Sequence, residues 1–162
     1  MPPSRVADLV THLDLAPHPE GGFFREIFRS ASGVRPDDGR HRRAALTTIY
    51  YLLADGQHSR WHRVLSDEVW HHYEGAPLEL LHLDARSGRC VPLILGPFDG
   101  AARPVHVIPA GDWQAARPLG SYTLVGCTVG PGFEVDDFSF MRADRETATR
   151  LLGERSHLEQ LL

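Results

Sequence analysis

The chain contains no lysine, because all 17 of its basic residues are arginine. Schiff-base catalysis, attachment of pyridoxal phosphate and a Walker-type phosphate site each need a lysine amine, so all three are excluded. Cysteine is scarce as well. Cys90 and Cys127 lie far apart and lack the C-x-x-C spacing of zinc and redox sites, so we expect two reduced, buried thiols.

Long apolar runs and an excess of positive charge are also missing. No stretch approaches the roughly 20 apolar residues that a membrane span requires. The first ten residues, MPPSRVADLV, contain no apolar segment of the signal-peptide type. The net charge of -4 offers no electrostatic footprint for nucleic acid. We therefore expect a cytoplasmic protein that binds neither membranes nor nucleic acid.

The remaining composition is that of an ordinary globular protein, with 42% apolar and 23% charged residues in 162. This length suits one domain over residues 1–162. Short β-rich runs separated by turn residues predict a sandwich or closed barrel, and no long helix alternates with them as in a Rossmann fold. The predicted strands are 45–53, 59–64, 68–74, 77–83, 90–95, 104–108, 121–129 and 137–141, with an earlier alternating segment at 22–30.

Helices are predicted only at the two ends of the chain. Ser4 can cap an N-terminal helix with one apolar stripe. Near the C-terminus, Asp144 begins a helix that Gly153 ends, and Ser156 to Glu159 form a capping box for a last short helix. The polar, turn-rich residues 34–43 are predicted to be a surface loop.

Residues 56–75, GQHSRWHRVLSDEVWHHYEG, resemble the first motif of the cupin superfamily, G-x5-H-x-H-x3-E-x6-G. His62 and Glu68 stand at two of its ligand positions, but Val64 replaces the second histidine. The segment PAGDWQ resembles the second motif, P-x-G-x2-H, with Gln114 in place of its histidine.

Longer segments resemble the Cupin_5, or DUF985, proteins. The resemblance implies an all-β double-stranded β-helix, or jelly-roll barrel, with short terminal helices, paired as a homodimer. The apolar strand FFREIF also favours a dimer. The segments that carry the resemblance are 18–30 (HPEGGFFREIFRS), 47–53, 61–80, 107–116 and 122–138.

Strand alternation predicts which side chains line the barrel. If His62 points inward, then Glu68, Trp70 and His72 do so too, with Val64 as an apolar wall. A carboxylate is rarely buried without a partner or a task, so we predict that His62 and Glu68 are the catalytic pair. The predicted substrate contacts are His72, Gln114, Trp70, Tyr51 and Arg25, although Trp70 and His72 could instead be core residues.

Other groups remain open at this point. The HPEGG segment (18–22) or a tyrosine is a candidate source of a partner acid or of the shape of the mouth. One or two of the arginines on the strands are candidates to meet an anionic substrate, whereas most are expected on a solvated face.

A metal site would have to use His62, Glu68 and Gln114, of which only the first two are good ligands. We therefore expect no cofactor, with one divalent metal ion as the alternative. The leading hypothesis is an isomerase or epimerase that performs metal-independent acid-base chemistry on a small polar metabolite. The alternatives are a non-catalytic metabolite-binding or sensing module, and a metal-dependent dioxygenase or lyase with an atypical ligand set.

Overall fold

The computed structural model describes residues 4–153 and 155–162. In these ranges the helices are α1 (Arg5–His12), α2 (Arg145–Leu152) and α3 (Ser156–Glu159). The strands are β1 (Ala16–Pro17), β2 (Phe23–Arg29), β3 (Gly33–Val34), β4 (Arg43–Ala44), β5 (Thr47–Ala54), β6 (Ser59–Val64), β7 (Asp67–Gly75), β8 (Leu78–Leu83), β9 (Cys90–Leu95), β10 (Val105–Ile108), β11 (Trp113–Pro118), β12 (Tyr122–Gly130) and β13 (Phe138–Phe140). None of the helices in the described ranges is long and apolar enough to cross a membrane.

Two antiparallel sheets pack face to face. One has six strands in the order β1-β2-β5-β12-β7-β10, and the other has five in the order β13-β6-β11-β8-β9. Apolar side chains from both sheets meet in the barrel interior, including Tyr51 and Trp70 from the first and Leu78 and Leu80 from the second. This arrangement confirms the predicted jelly-roll barrel with short terminal helices.

A second core lies on the outer face of the five-stranded sheet. Trp61, Leu81 and Trp113 point outward from this sheet and pack against Leu152 of α2 and Leu158 of α3. The indole Nε1 of Trp61 donates a 2.9 Å hydrogen bond to the carbonyl of Leu158. The five-stranded sheet is therefore covered on both faces, and its central strands are apolar on both sides.

The backbone conformation explains the two glycines that bracket the first motif. Gly56 and Gly75 both have positive φ angles, +77° and +91°, in the left-handed region that favours glycine. A Cβ on Gly75 would also collide with the backbone oxygen of Tyr122. Gly56 thus lies in the turn from β5 into β6, and Gly75 in the turn from β7 into β8, each connecting one sheet to the other.

Three local predictions need correction. The segment 34–43 is not only a surface loop, because it ends in the β3–β4 hairpin and buried Arg43 bonds the carboxylate of Asp137. Residues 113–118 form a strand that the run of β-rich segments did not include. The last helix begins at Ser156 with Arg155 as its N-cap and no side-chain cap, so the predicted capping box is absent from α3.

Candidate functional site

A cavity of about 190 Å³ opens between the sheets. Its wall includes two carboxyl groups, Glu20 and Glu68, together with the imidazole of His18 and the thiol of Cys127. Val64, at the place of the second motif histidine, supplies an apolar part of the wall. Phe24, Ile49, Val129 and Phe133 complete the apolar lining, so the polar groups are concentrated in one region.

Glu68 is fixed by a chain of buried hydrogen bonds. Gln114 donates from Nε2 to Glu68 Oε2 at 2.6 Å, and Trp70 donates from Nε1 to Gln114 Oε1 at 2.8 Å. An indole can only donate, so Trp70 requires the amide oxygen of Gln114 on its side and thereby turns the amide nitrogen toward Glu68. Trp70 and Gln114 do not line the cavity but support Glu68 from behind.

Glu20 comes from the turn before β2. Its Oε2 accepts a 2.6 Å hydrogen bond from the hydroxyl of Ser59, which is completely buried at the start of β6. The backbone N–H of Glu20 donates to His18 Nδ1 at 3.1 Å, so Nδ1 is an acceptor and the ring proton lies on Nε2. That Nε2 is 3.9 Å from Glu20 Oε1.

His62 lies beside both carboxyls but does not line the cavity. Its Nδ1 is 2.7 Å from the carbonyl oxygen of Arg60 and 3.4 Å from Glu20 Oε2. A carbonyl only accepts, so Nδ1 carries the proton and Nε2 of the neutral ring is an acceptor. The ring stacks on Phe138 at 5.3 Å between centroids. The backbone carbonyl of Arg60 therefore sets the tautomer of His62.

Burial dominates the electrostatics of these groups. It raises the pKa of Glu68, and the nearby charge of Glu20 raises it further, while His62 and the Gln114 hydrogen bond act in the opposite direction. Burial likewise raises the pKa of Glu20 and lowers the pKa values of His18 and His62. Burial thus moves the pKa values of both carboxyls toward neutral pH, and it favours the uncharged form of both imidazoles.

The other three predicted substrate contacts, like Trp70 and Gln114, do not line the cavity. Tyr51 is buried behind the wall and donates its hydroxyl proton to the carbonyl of Gly21 at 2.7 Å. His72 lies four residues beyond Glu68 on β7, about 13 Å along the strand, and bonds the carbonyl of Ala76. Arg25 is half exposed and faces Asp14 and the carbonyl of Leu13.

Arg29, rather than the predicted substrate contact Arg25, is the arginine that lines the cavity. It lines the cavity together with Glu26 and Glu134, and its guanidinium donates to both carboxylates and to the carbonyl of Phe133. A β-bulge between Glu26 and Phe28 explains why Arg29 lines the cavity. The extra residue reverses the alternation after Glu26 and turns Arg29 to the same side as Phe24 and Glu26. Arg25 lies between Phe24 and Glu26 and faces away from the cavity by ordinary alternation.

The donor set fits a metal ion poorly. Val64 offers no ligand, and Trp70 holds Gln114 with its N–H toward Glu68, where a cation would need an oxygen. Over residues 4–153 and 155–162, no group of three or more His, Cys, Asp and Glu side chains has a geometry that could hold a metal. The expectation that the protein carries no metal stays a prediction.

His18 and Glu20 are the site residues that strand alternation could not find. They belong to the HPEGG segment, which the sequence marked only as a candidate source of a partner acid. Their place at the cavity depends on Gly21 and Gly22, whose positive φ angles let the backbone approach His58 and Leu52 closely. Cys127, opposite Trp70 on the neighbouring strand, was expected only as a buried thiol.

Comparisons with known proteins agree with the barrel. The family profile Cupin_5, described as "Cupin superfamily (DUF985)", matches residues 7–141. A hypothetical protein from Leishmania major is 28% identical with a TM-score of 0.82, covering 95% of this chain and 94% of its own. A Shewanella oneidensis protein is 29% identical with the same TM-score, covering 95% of this chain and 94% of its own.

A more distant structure shares the fold alone. Oxalate decarboxylase from Bacillus subtilis is 16% identical with a TM-score of 0.59, and the match covers 93% of this chain and 37% of that enzyme. A search of curated proteins found no match.

Proposed function

We propose that this chain, which belongs to the Cupin_5 (DUF985) family of the cupin superfamily, is an isomerase or epimerase that moves a proton next to a carbonyl group of a small polar metabolite. One observation carries the proposal. Glu20 and Glu68 line the same cavity, and within the described ranges Oε1 of each accepts no N–H or O–H hydrogen bond. The thiol of Cys127, which also lines the cavity, is a further hydrogen-bond partner of Glu68.

The two carboxyls suit the two halves of an isomerisation. Removing a proton from one carbon and returning one requires a base and an acid whose pKa values lie near the working pH. Burial raises the pKa of both groups, and the charge of Glu20 raises that of Glu68, so the pair favours one protonated and one ionised member. The ionised carboxylate would take the proton while the protonated carboxyl supplies one.

His62 couples the pair from behind the wall. It lies 3.4 Å from Glu20 Oε2 through Nδ1, and its charge would lower the pKa of Glu68. In this role His62 interacts electrostatically with both carboxyls and does not contact the substrate. The catalytic pair at the substrate is therefore Glu20 and Glu68, and His62 is a positioning residue.

The cavity limits the substrate in size and charge. Its volume of about 190 Å³ is below the roughly 300 Å³ at which drug-sized pockets begin, which favours a metabolite of few atoms. Arg29 is the cation at the mouth, but its donors are engaged by Glu26, Glu134 and Phe133. Among the described residues that line this cavity, no guanidinium is therefore left to bind an anionic substrate. A neutral hydroxy-carbonyl compound suits the cavity better than an anion.

The test is hydrogen exchange with solvent. We would incubate the protein in deuterated water with small hydroxyaldehydes and hydroxyketones, and follow carbon-bound hydrogen by proton NMR. The expected result is loss of the signal next to the carbonyl, with isomer formation, by wild-type protein and not by Glu68→Gln. Glu79→Gln is the matched control, because Glu79 pairs with Arg117 on the other sheet.

A different outcome would favour the binding module. If a compound binds in the cavity, as judged by chemical-shift changes, but gains no deuterium and forms no isomer, the enzyme proposal fails for that compound class. A pocket that only recognises its ligand remains the alternative in that case.

A further inference from the structure

Trp70 has a role that the barrel core does not require. It is almost completely buried, and an aromatic ring there fills space between the sheets. Filling that space requires only the apolar atoms of the ring, whereas its single polar atom, Nε1, needs a hydrogen-bond acceptor once it is buried. The indole N–H meets Gln114 Oε1 at 2.8 Å, in a region where both residues are only 1% exposed.

We propose that Trp70 is a positioning residue which, through Gln114, determines which oxygen of Glu68 carries a proton toward the cavity. The inference rests on the proposed function for its catalytic meaning, but the arrangement of hydrogen bonds stands without it. The relay is one-directional, because an indole only donates and a primary amide donates from one end and accepts at the other.

The consequence at Glu68 follows from the bonding rules. Gln114 donates to Oε2 at 2.6 Å, so a proton on Oε2 would face an N–H and lose that hydrogen bond. A protonated Glu68 therefore carries its proton on Oε1, the oxygen without an N–H or O–H partner among the described residues. Glu68 lines the cavity beside the thiol of Cys127, so a proton on the oxygen that Gln114 does not hold lies on the substrate side.

Without the indole N–H, the amide of Gln114 is free to turn over. Its oxygen would then face Glu68 and accept from a proton on Oε2, directing the proton away from the cavity. A hydrogen bond to an ionised group is worth more than one to a neutral group, so losing the donated N–H also favours the protonated carboxyl. The groups that face Glu68 otherwise stay in place: Glu20, His62 and Cys127.

The experiment compares Trp70→Phe with a matched variant, Trp61→Phe. Trp61 is equally buried and also donates from Nε1, but to the carbonyl of Leu158 in the outer core. We would follow the titration of Glu68 by carbon-13 NMR in protein labelled at glutamate side chains, with the signal assigned by its loss in Glu68→Gln. No substrate is needed for this measurement.

We expect Trp70→Phe to move the Glu68 titration to higher pH and Trp61→Phe to leave it at the wild-type position. Where turnover is measurable, Trp70→Phe should lower kcat by about tenfold or more with little change in KM, from the weight of one hydrogen bond to a charged group. An unchanged titration in Trp70→Phe, or an equal displacement in Trp61→Phe, would overturn the inference.

A double-mutant cycle separates the relay from general loosening of the core. Gln114→Met keeps a side chain of similar length and removes both hydrogen bonds. In that background, adding Trp70→Phe should not change the Glu68 titration further, because the path from Trp70 is already broken. Additive changes would refute the relay. If the titrations behave as expected while no compound exchanges hydrogen, the relay stands and the proposed function fails.

Discussion

Replacing Glu68 by glutamine should make the protein more stable at alkaline pH while removing its proposed activity. The glutamine side chain has nearly the same shape as glutamate. Its amide oxygen can still accept the 2.6 Å hydrogen bond from Gln114 Nε2. The new amide nitrogen would take the place of Oε1, where the cavity leaves room for water. The substitution thus removes an ionisable group without opening a hole.

The sign of the effect follows from the direction in which the pKa is displaced. Burial raises the pKa of Glu68 above its ordinary value of 4.5. The stability that this carboxyl contributes is complete below pH 4.5 and is lost as the pH rises through the higher folded-state pKa. Glu68→Gln cannot ionise, so its advantage over wild type should be absent in acid and grow across that window.

The magnitude can be scaled from general values. When the folded and unfolded pKa values differ by one, the difference is worth about 1.4 kcal/mol. For a protein of this size, each kcal/mol moves Tm by about 2–4 °C. A folded-state pKa that is one higher than the unfolded value should therefore make the variant melt about 3–6 °C above wild type, once the pH exceeds the folded-state pKa. A larger difference between the two pKa values raises Tm in proportion.

Thermal unfolding followed by circular dichroism from pH 4 to pH 9 would test this. Glu74→Gln is an informative contrast, because Arg5 and Tyr122 lower the pKa of this exposed carboxyl to about 2. Its contribution is present above the ordinary pKa and is lost in acid, so that variant should gain nothing at high pH. Equal Tm values for Glu68→Gln and wild type across the whole range would refute the argument.

Three further predictions concern the same site and the assembly. His62→Ala should lower kcat by about tenfold, because the electrostatic coupling and positioning of the two carboxyls are lost; steady-state kinetics would show it, and an unchanged kcat would contradict this role. Purified protein should carry no stoichiometric Fe, Mn, Ni or Zn by elemental analysis, and near one ion per chain that disappears in His62→Ala would contradict this. Light scattering at micromolar concentration should give a homodimer, consistent with the exposed Ile27 and Phe28 on β2, and a monomer mass would contradict it.

The sequence predicted the barrel well where strands alternate without interruption. On β6 and β7, the inward positions of His62, Glu68 and Trp70 follow from period-2 alternation, and the structure has all three buried. Gln114 was expected in the barrel interior as a substrate contact, and it is buried there but donates its hydrogen bond to Glu68. The strand that carries Gln114 was missed because its sequence, WQAARP, contains no β-branched residue. Pairing with β6 on one side and β8 on the other makes it a strand.

The remaining site residues depend on irregular backbone, which the period-2 alternation of strands does not reveal. The bulge at Ile27 turns Arg29 to the face of β2 that lines the cavity. Glu20 reaches the cavity through a turn, and its partner Ser59 lies 39 residues further along the chain. A single charged residue in a Pro- and Gly-rich segment carries no periodic signal, so only the folded chain brings it to Glu68.

The covering of the five-stranded sheet on both faces has a consequence for how its strands find their register. A one-residue slip normally exposes the apolar face of a strand, but here either face of β11 would still meet an apolar core. Hydrophobicity alone therefore distinguishes poorly between the correct pairing and a slipped one. Gln114 lies opposite His62 on one side and His82 on the other. A slip would turn it toward the helices without partners, at a cost of about 1–3 kcal/mol for an unsatisfied polar group. Gln114 thus also specifies the register of β11, and replacing it by an apolar residue would relax the specificity of strand pairing.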